Sequence, residues 1–392
     1  MSEVPFLPYG RQTIDDEDVA AVVDVLRSAY LTTGPKIAEF EQALAKRCGA
    51  ADAVVVTNGT AALHATIYAA DIGPGDEVLV PAVTFVASAN CVRYQGAEPV
   101  FVDVDPRTGL MDLEHAKRLI TPKTKALIPV HLNGAPVDLV AARALADEHG
   151  LWLIEDAAHA LGARFQGTSV GDCRYGHMAI LSFHPVKHIT TGEGGAILTN
   201  DAGLAQRLRQ FRDHGIERRA AHFQEADAGP WHYEQVSLGY NLRLSAIQCA
   251  LGLSQLARLD SFLAARRARA AQYDAAFADV EGVTPIKTAA MDAGGDESAY
   301  HIYVVGIDYK RYGTTRAAVM AHLRAAGIGT QVHYIPVPSQ PYYRDRGNDM
   351  ADYPGAACYF SGALSLPLYP SLTEAEVTRV VGALKAALDE TS

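Results

Sequence analysis

Hydrophobic and polar positions between residues 53 and 200 follow one recurring pattern. Short apolar runs, rich in β-branched residues, do not alternate with polar positions, and each is followed by a stretch of helical composition. Such runs are typical of strands buried on both faces, and the helices between them indicate a mostly parallel sheet covered on both sides. The pattern predicts seven strands, at residues 53–56, 77–80, 99–102, 126–130, 152–154, 179–183 and 196–199.

The chain on both sides of this region shows helical spacing. Near the N-terminus, apolar residues recur every three or four positions behind Thr13, whose hydroxyl we expect to cap a helix. After residue 200, the composition predicts helices at 204–212 and 245–269, the second one long and rich in Ala, Leu and Arg. Within it, the basic run Arg266–Arg269 predicts a solvated helix face.

The C-terminal part predicts a second, smaller unit. Apolar runs at 302–305 and 329–332 predict strands, with a helix between them at 315–326. A chain of 392 residues is well beyond the length of a typical single-core domain, so two domains are expected. The predicted division is an N-terminal segment (1–18), a large α/β domain (19–255) and a small α+β domain (256–392).

Charge and cysteine usage limit the class of partner. With 34 basic and 45 acidic residues the formal net charge is −11, which disfavours nucleic acid and anionic membranes as partners. The N-terminus lacks a basic region followed by an apolar one, and no uncharged apolar run reaches about 18 residues, so neither export nor membrane insertion is expected. The five cysteines are odd in number and widely spaced, which favours reduced thiols in the cytoplasm.

Several standard motifs are missing from the sequence. None of its Gly-x-Gly triplets continues as G-x-G-x-x-G, and neither a Gly-Lys dipeptide nor H-E-x-x-H occurs, so the dinucleotide, P-loop and metalloprotease interpretations lack their motif. His184 and His188 are four residues apart, but Pro185 between them argues against a regular helix that would present both to a metal. We therefore predict no metal site.

Polar residues directly after a strand occupy the edge at which ligands bind in a doubly wound sheet. After the strand at 53–56, the small-residue turn Thr57–His64 opens a helix and offers N–H groups and a positive dipole end to a phosphate. Simple capping of that helix by Thr57 or Asn58 is the alternative.

Two further strand ends carry an acid and an amine. Asp156 follows the strand at 152–154, where a carboxylate can keep a heterocyclic nitrogen protonated; capping of a helix is the alternative. Lys187 follows the strand at 179–183, and a partly desolvated lysine there can form a Schiff base, whereas an exposed loop lysine is the alternative. One edge of the sheet thus carries a turn suited to a phosphate (the phosphate turn), a carboxylate suited to a ring nitrogen, and an amine. Together they predict a site for pyridoxal phosphate.

Longer motifs extend this prediction to a family. The chain resembles the DegT, DnrJ and StrS family of pyridoxal-phosphate sugar aminotransferases, of fold type I, nearly from end to end. The resemblance implies a large domain with a mostly parallel seven-stranded sheet covered by helices, and a smaller α+β C-terminal domain. The stretches that carry it most specifically are 32–35 (TTGP), 84–90 (TFVASAN), 155–159 (EDAAH), 182–195 and 238–244 (LGYNLRL).

The resemblance also implies roles for the matching positions. Lys187 would bind the cofactor and shuttle the proton to and from the substrate carbon, while Asp156 would pair with the pyridine nitrogen. Phe85 would stack on the ring, and His159 would lie near the phenolic oxygen. The phosphate would be held by Gly59, Thr60 and Ser182, together with Asn241 of the partner subunit. A homodimer with shared active sites is thereby implied.

Within the family, residues 8–12, 184–188, 229–235 and 331–334 most resemble the C4-aminotransferases of pseudaminic acid biosynthesis. This implies transfer of the amino group of L-glutamate to a UDP-linked 4-keto-6-deoxy sugar, giving UDP-4-amino-4,6-dideoxy-N-acetyl-β-L-altrosamine. For His333 and Tyr334, a purely structural role at the end of a strand is the alternative. The residues implied for the sugar nucleotide are Tyr9, Thr32, Asn58, Arg243, His333 and Tyr334.

Three other functions remain open at this stage. One rival is a GDP-linked 4-keto-6-deoxymannose 4-aminotransferase of the perosamine type, and another is a C3 keto-sugar aminotransferase. The third is a regulatory member of the family without turnover, which the presence of Lys187, Asp156 and the phosphate turn disfavours.

Overall fold

Strands and helices alternate along the first half of the chain. A computed structural model describes residues 5–225, 228–288 and 296–389. Its helices, α1 to α13, are Asp16–Leu26, Lys36–Cys48, Gly59–Ala69, Ala87–Tyr94, Leu113–Leu119, Leu139–His149, Ala202–Arg212, Ala246–Ala257, Leu259–Phe277, Arg316–Ala325, Pro341–Arg344, Pro354–Gly362 and Glu374–Asp389. Its strands, β1 to β14, are Asp52–Val56, Glu77–Pro81, Glu98–Val102, Thr124–Leu127, Trp152–Asp156, Arg164–Phe165, Thr168–Ser169, Met178–Ser182, Gly195–Thr199, Ile216–Glu217, Glu234–Gln235, Val283–Pro285, Tyr303–Ile307 and Ala363–Leu366.

One large sheet contains all seven strands that the apolar runs predict. Its order is β1–β9–β8–β5–β4–β2–β3, and the strands are parallel except for β9, which runs antiparallel to β1 and β8. The predicted mostly parallel, helix-covered sheet is therefore confirmed.

The two faces of the sheet pack into separate hydrophobic clusters. Along β1, Val54 and Val56 belong to a cluster that includes Ala62 of α3, whereas Val55 belongs to a cluster with Phe40 of α2. Successive side chains of a strand point to opposite faces, so a strand covered on both sides needs apolar residues at every position. This explains why the apolar runs do not alternate.

A smaller antiparallel sheet forms the C-terminal unit. Strand β13 lies between β12 and β14, and the sheet packs with α9, α10 and α13 around a third cluster that includes Tyr273, Val305 and Leu384. Leu7 joins this cluster and forms a parallel bridge with Ile328. The domain division at residues 18 and 255 remains a prediction.

Several local predictions differ from the structure. The long helix expected at 245–269 is two helices, α8 and α9, separated at Arg258. The N-terminal helix is capped by Asp15, whose side chain accepts from the backbone N–H of Asp18, and not by Thr13. The strand expected at 329–332 is reduced to a single bridge between Gln331 and Ser365, because the chain there turns towards the ligand-binding edge of the large sheet.

The predicted solvated face at Arg266 is wrong. This side chain is fully buried at 0% exposure, and its Nη1 donates to the backbone carbonyls of His301 and Leu368 at 3.0 and 3.1 Å. A basic run on one helix does not reveal which of its members faces the core. In the described part of the chain, no helix is both long enough and apolar enough to cross a membrane.

Candidate active site

A cavity of about 660 Å³ opens at the carboxyl ends of β1, β5 and β8. Ligand sites of this size are usual for small molecules and cofactors. It also receives residues from the N-terminal segment and from the segment before α11. The predicted site residues that line it are Tyr9, Asn58, Gly59, Thr60, Phe85, Asp156, His159, Ser182, Lys187, His333 and Tyr334.

The start of α3 forms one wall of the cavity. Asn58 caps the helix, accepting at Oδ1 the backbone N–H of Ala61 at 2.8 Å, so its capping role is confirmed. The first N–H groups of a helix have no partner within the helix and attract anions. A Cβ atom built on Gly59 would lie 3.1 Å from Cβ of Ser182. Glycine thus leaves an open cradle between this turn and the end of β8.

Asp156 ends β5 and is buried in the floor of the cavity. Its Oδ2 accepts the hydroxyl of Ser88 at 2.8 Å, and its Oδ1 accepts the backbone N–H of Ala158 at 3.2 Å. Burial raises the pKa of this carboxyl, while the two hydrogen bonds and the charge of Lys187 oppose the rise. No described helix begins at Asp156, so the helix-cap alternative is wrong.

Lys187 lies in the irregular segment between β8 and β9, with its side chain partly buried. Its Nζ is 3.4 Å from Nε2 of His301. Burial lowers the pKa of the amine to about 7, the charge of Arg266 acts in the same direction, and Asp156 opposes both. A lysine with such a pKa has a large neutral, nucleophilic fraction at neutral pH.

Histidine and tyrosine rings surround the lysine. Nε2 of His159 and the hydroxyl of Tyr334 are 3.1 Å apart, and the ring of His159 lies 4.3 Å from that of His301. Burial lowers the pKa of His159 and His301 well below the usual value, with the charge of Lys187 as the next cause. His333 bonds through Nδ1 to the hydroxyl of Ser365 at 2.8 Å. Burial also lowers the pKa of His333, to about 3. The lowered pKa values of all three histidines favour neutral rings at pH 7.

Aromatic residues extend the site towards its mouth. Phe85 is 55% exposed, and its ring centroid lies 6.0 Å from that of Tyr334. Tyr9 lies 5.5 Å from the ring of His333. An apolar ring face is thus available in the cavity beside the carboxylate and the amine.

Three predicted residues do not line the cavity of their own chain. Thr32 and Asn241 are exposed, and Arg243 pairs with Asp213. Two others belong to the site although the sequence did not reveal them. Ser88 lies inside the 84–90 motif but had no assigned role, and no spacing or composition marked His301.

The residues present fit pyridoxal phosphate. The N-terminus of α3 and the space beside Gly59 suit a phosphate, Asp156 suits a protonated ring nitrogen, and Lys187 suits an aldehyde. His159 also has a buried Nδ1 without a hydrogen-bond partner among the described residues. A buried polar atom of this kind indicates a ligand group.

Comparisons with known proteins agree with this geometry. Residues 12–385 match the DegT/DnrJ/EryC1/StrS aminotransferase family. The spore coat polysaccharide biosynthesis protein SpsC of Bacillus subtilis (strain 168) is 40% identical, over 97% of this chain and 96% of SpsC.

Solved structures show the same similarity. Helicobacter pylori PseC, an aminotransferase of pseudaminic acid biosynthesis, is 31% identical, with a TM-score of 0.90 over 98% of this chain and 100% of PseC. The PLP form of Spr1654 from Streptococcus pneumoniae is 30% identical, with a TM-score of 0.90 over 99% of this chain and 100% of Spr1654. The chain therefore belongs to the DegT/DnrJ/EryC1/StrS family and is a pyridoxal-phosphate-dependent sugar aminotransferase of fold type I.

Proposed function

We propose that this enzyme transfers the amino group of L-glutamate to C4 of a UDP-linked 4-keto-6-deoxy sugar, forming UDP-4-amino-4,6-dideoxy-N-acetyl-β-L-altrosamine. The observation that carries the proposal is the similarity to PseC over 98% of the chain, in sequence and in fold. The residues that line the cavity between Lys187 and the mouth are compatible with a sugar, since they combine aromatic faces with polar edges.

We assign the cofactor to the inner part of the cavity. Pyridoxal phosphate supplies an aldehyde that reacts with amines and a ring that withdraws electrons from the carbon whose proton is removed. Asp156 would pair with the ring nitrogen and keep it protonated, and Phe85 would supply an aromatic face for the ring. Gly59, Thr60 and Ser182 would hold the phosphate at the start of α3, where the helix dipole is favourable.

Lys187 carries the proton in this proposal. Its amine, with a pKa lowered to about 7, is neutral in a large fraction of molecules at neutral pH and can accept the proton of the donor's α-carbon at Nζ. The same nitrogen later returns a proton to the carbon of the sugar that receives the amine. His159, bonded to Tyr334, lies on the cavity wall that would face the phenolic oxygen of the cofactor.

The outer part of the cavity is assigned to the sugar nucleotide. Tyr9, Asn58, His333 and Tyr334 line the cavity and would offer the sugar nucleotide hydroxyl, amide and imidazole groups. Asn241 and Arg243, with Thr32, lie away from this cavity, and we assign them to the site of the partner subunit in a homodimer. There Asn241 would contact the cofactor phosphate.

A screen of nucleotide sugars tests the proposal. The enzyme is loaded with pyridoxal phosphate and incubated with L-glutamate and matched UDP- and GDP-linked 4-keto-6-deoxy sugars and a 3-keto sugar. The products are identified by mass spectrometry and NMR. Amination at C4 of the UDP-N-acetyl sugar with the highest kcat/KM is the expected result. Preference for GDP-4-keto-6-deoxymannose, or for amination at C3, contradicts it.

The role of Lys187 is tested separately. The loaded wild-type protein should absorb near the visible edge and change its spectrum on addition of L-glutamate. Lys187→Ala should lose this absorbance and the transfer, while the matched control Lys123→Ala, outside the cavity, keeps both. Transfer at the wild-type rate by Lys187→Ala contradicts the mechanism.

A further inference from the structure

His301 contacts the amine of Lys187 from the other side of the cavity. It lies just before β13 in the small C-terminal sheet, and its Nε2 is 3.4 Å from Nζ of Lys187. No other described residue makes a hydrogen bond to this amine. The carboxylate of Asp156 is already engaged by Ser88 and Ala158.

The ring of His301 is fixed on several sides. Its backbone N–H donates to the carbonyl of Asn133 at 3.1 Å, and its carbonyl accepts Nη1 of Arg266 at 3.0 Å. The ring packs 4.3 Å from that of His159, and the residue is only 3% exposed. The imidazole therefore has little freedom to turn away from Lys187.

Packing alone does not explain a histidine at this position. Its Nδ1 is buried without a hydrogen-bond partner in the described ranges of the chain. A buried polar atom without a partner costs about 1–3 kcal/mol, so an apolar side chain would fill the same space at a smaller cost. The Nε2 contact with Lys187 is thus the interaction that distinguishes histidine from an apolar residue here.

The buried Arg266 supports the same contact. It forms no ion pair with a described residue, and its Nη1 bonds to backbone carbonyls that include that of His301. Burying a guanidinium without an ion-pair partner costs free energy, and hydrogen bonds to the surrounding backbone offset part of this cost. Here these hydrogen bonds fix the segment that carries His301.

We propose that His301 is a positioning residue for Lys187, whose Nε2 accepts a hydrogen bond from the amine whenever that amine is not bonded to the cofactor. The inference rests on the proposed role of Lys187. In the glutamate half-reaction Nζ would take the proton from the α-carbon of the donor and pass it to the former aldehyde carbon of the cofactor. In the second half-reaction Nζ would take a proton back from that carbon and give it to the sugar carbon that receives the amine, while His301 gains and loses none. By holding Nζ in place, His301 keeps it within reach of the carbon in both half-reactions.

The test compares two substitutions of His301 with a matched control. His301→Met keeps the approximate volume of the side chain but removes the hydrogen-bond acceptor. His301→Gln restores an acceptor at a similar distance from the backbone. The control, Ser298→Ala, loosens the same segment, because it removes the hydroxyl that accepts the N–H of Tyr300 at 2.9 Å. Each variant is loaded with cofactor, and single-turnover reactions with L-glutamate and with its α-deuterated form are followed by absorbance.

His301→Met is expected to slow the glutamate half-reaction about 10- to 100-fold and to increase its deuterium isotope effect, because proton transfer becomes more rate-limiting. The dissociation constant of glutamate should stay within about twofold. His301→Gln should recover most of the rate, and Ser298→Ala should keep the wild-type isotope effect.

The proposal is overturned if the isotope effect of His301→Met equals that of the wild type, or if Met and Gln variants lose rate, glutamate binding and thermal stability to the same extent. If His301→Met does not fold, His301→Asn replaces it, because its shorter side chain keeps a polar group but does not reach Nζ. Retained absorbance of the lysine-bound cofactor in the His301 variants shows that the role of Lys187 is intact. Failure of the positioning role is thereby distinguishable from failure of the proposed function.

Discussion

Ser88 on α4 donates its hydroxyl hydrogen to Oδ2 of Asp156 at 2.8 Å, although 68 positions separate them. Because a serine hydroxyl has one hydrogen, the 2.8 Å contact between Thr84 and Ser88 must be donated by Thr84. Asp156 is thus the final acceptor of a short hydrogen-bond chain. Hydrogen bonds to the charged form favour ionisation, and these oppose the pKa rise that burial causes.

Ser88→Ala should weaken cofactor binding. Without this hydrogen bond the pKa of Asp156 rises further, and less of the carboxylate is available to pair with the ring nitrogen. A hydrogen bond to a charged group contributes about 1.5–3 kcal/mol, so we expect the dissociation constant of pyridoxal phosphate to rise roughly 10- to 100-fold. Absorbance titration of the apoprotein measures this.

Thr84→Val is the matched control for that experiment. It removes the donor to Ser88 but leaves the hydroxyl that contacts Asp156, so its effect on cofactor binding should be several times smaller. Equal losses in the two variants, or none in Ser88→Ala, would show that the Ser88 hydrogen bond does not stabilise the carboxylate.

The pKa of Lys187 predicts how the stability of the apoprotein depends on pH. The native amine titrates near pH 7, whereas the unfolded one titrates near 10.5. Between these values the unfolded chain binds the extra proton, so stability rises with pH through this window. Lys187→Met should therefore be more stable than the wild type at about pH 7, with the difference shrinking by about pH 9.5.

Urea unfolding of the two apoproteins at both pH values measures the difference. A gap that is constant or that widens as the pH rises contradicts a lowered pKa. Lys123→Met, at an exposed lysine, is the control for replacing a lysine by methionine, and its stability is measured at the same two pH values.

Gly195 lies so close to the backbone of Asn58 that there is no room for a side chain at this position. It opens β9 opposite Val56, and a Cβ built on it would lie 2.6 Å from the backbone carbon of Asn58. Gly195→Ala must displace the turn, so we expect a loss of about 1–3 kcal/mol of stability and weaker cofactor binding. Thermal unfolding and cofactor titration check both effects.

Gly382 in α13 provides the contrasting substitution. A Cβ there meets nothing within 4 Å. Gly382→Ala should therefore raise the free energy of unfolding, by up to about 1 kcal/mol, through helix propensity alone. A destabilising Gly382→Ala, or a neutral Gly195→Ala, would contradict the steric argument.

The large sheet was predictable because burial on both faces leaves a strong local signal. Each of its strands contains consecutive apolar residues, and a short sequence window is enough to detect them. The break between α8 and α9 at Arg258 and the burial of Arg266 have no such signal. Arg258 pairs with Asp15 and Asp18 near the N-terminus, and Arg266 bonds to backbone carbonyls of the small unit, so each position depends on residues that are distant in the sequence. The bridge of Gln331 with Ser365 likewise depends on a distant strand.

The site shows the same limit. Asp156 and Lys187 each follow a strand of the large sheet, so topology alone brings them to one edge. His301 reaches Lys187 from the small C-terminal unit. Ser88 reaches Asp156 from α4, the helix between β2 and β3. Contacts between elements so far apart in sequence depend on packing that no local pattern records.

A mixing experiment tests whether two chains build each active site. Asn241 is exposed and does not line the cavity of its own chain. If it contacts the phosphate in the partner's site, Lys187→Ala and Asn241→Asp are each inactive alone, the second because its carboxylate repels the phosphate. A mixed dimer then contains one intact site, so equal co-assembly should restore about one quarter of wild-type activity.

Lys187→Ala mixed with Asp156→Asn is the matched control: both residues line one cavity, so these changes leave no intact site in a mixed dimer. Recovery in the control, or its absence in the first mixture with dimers formed, contradicts a shared site.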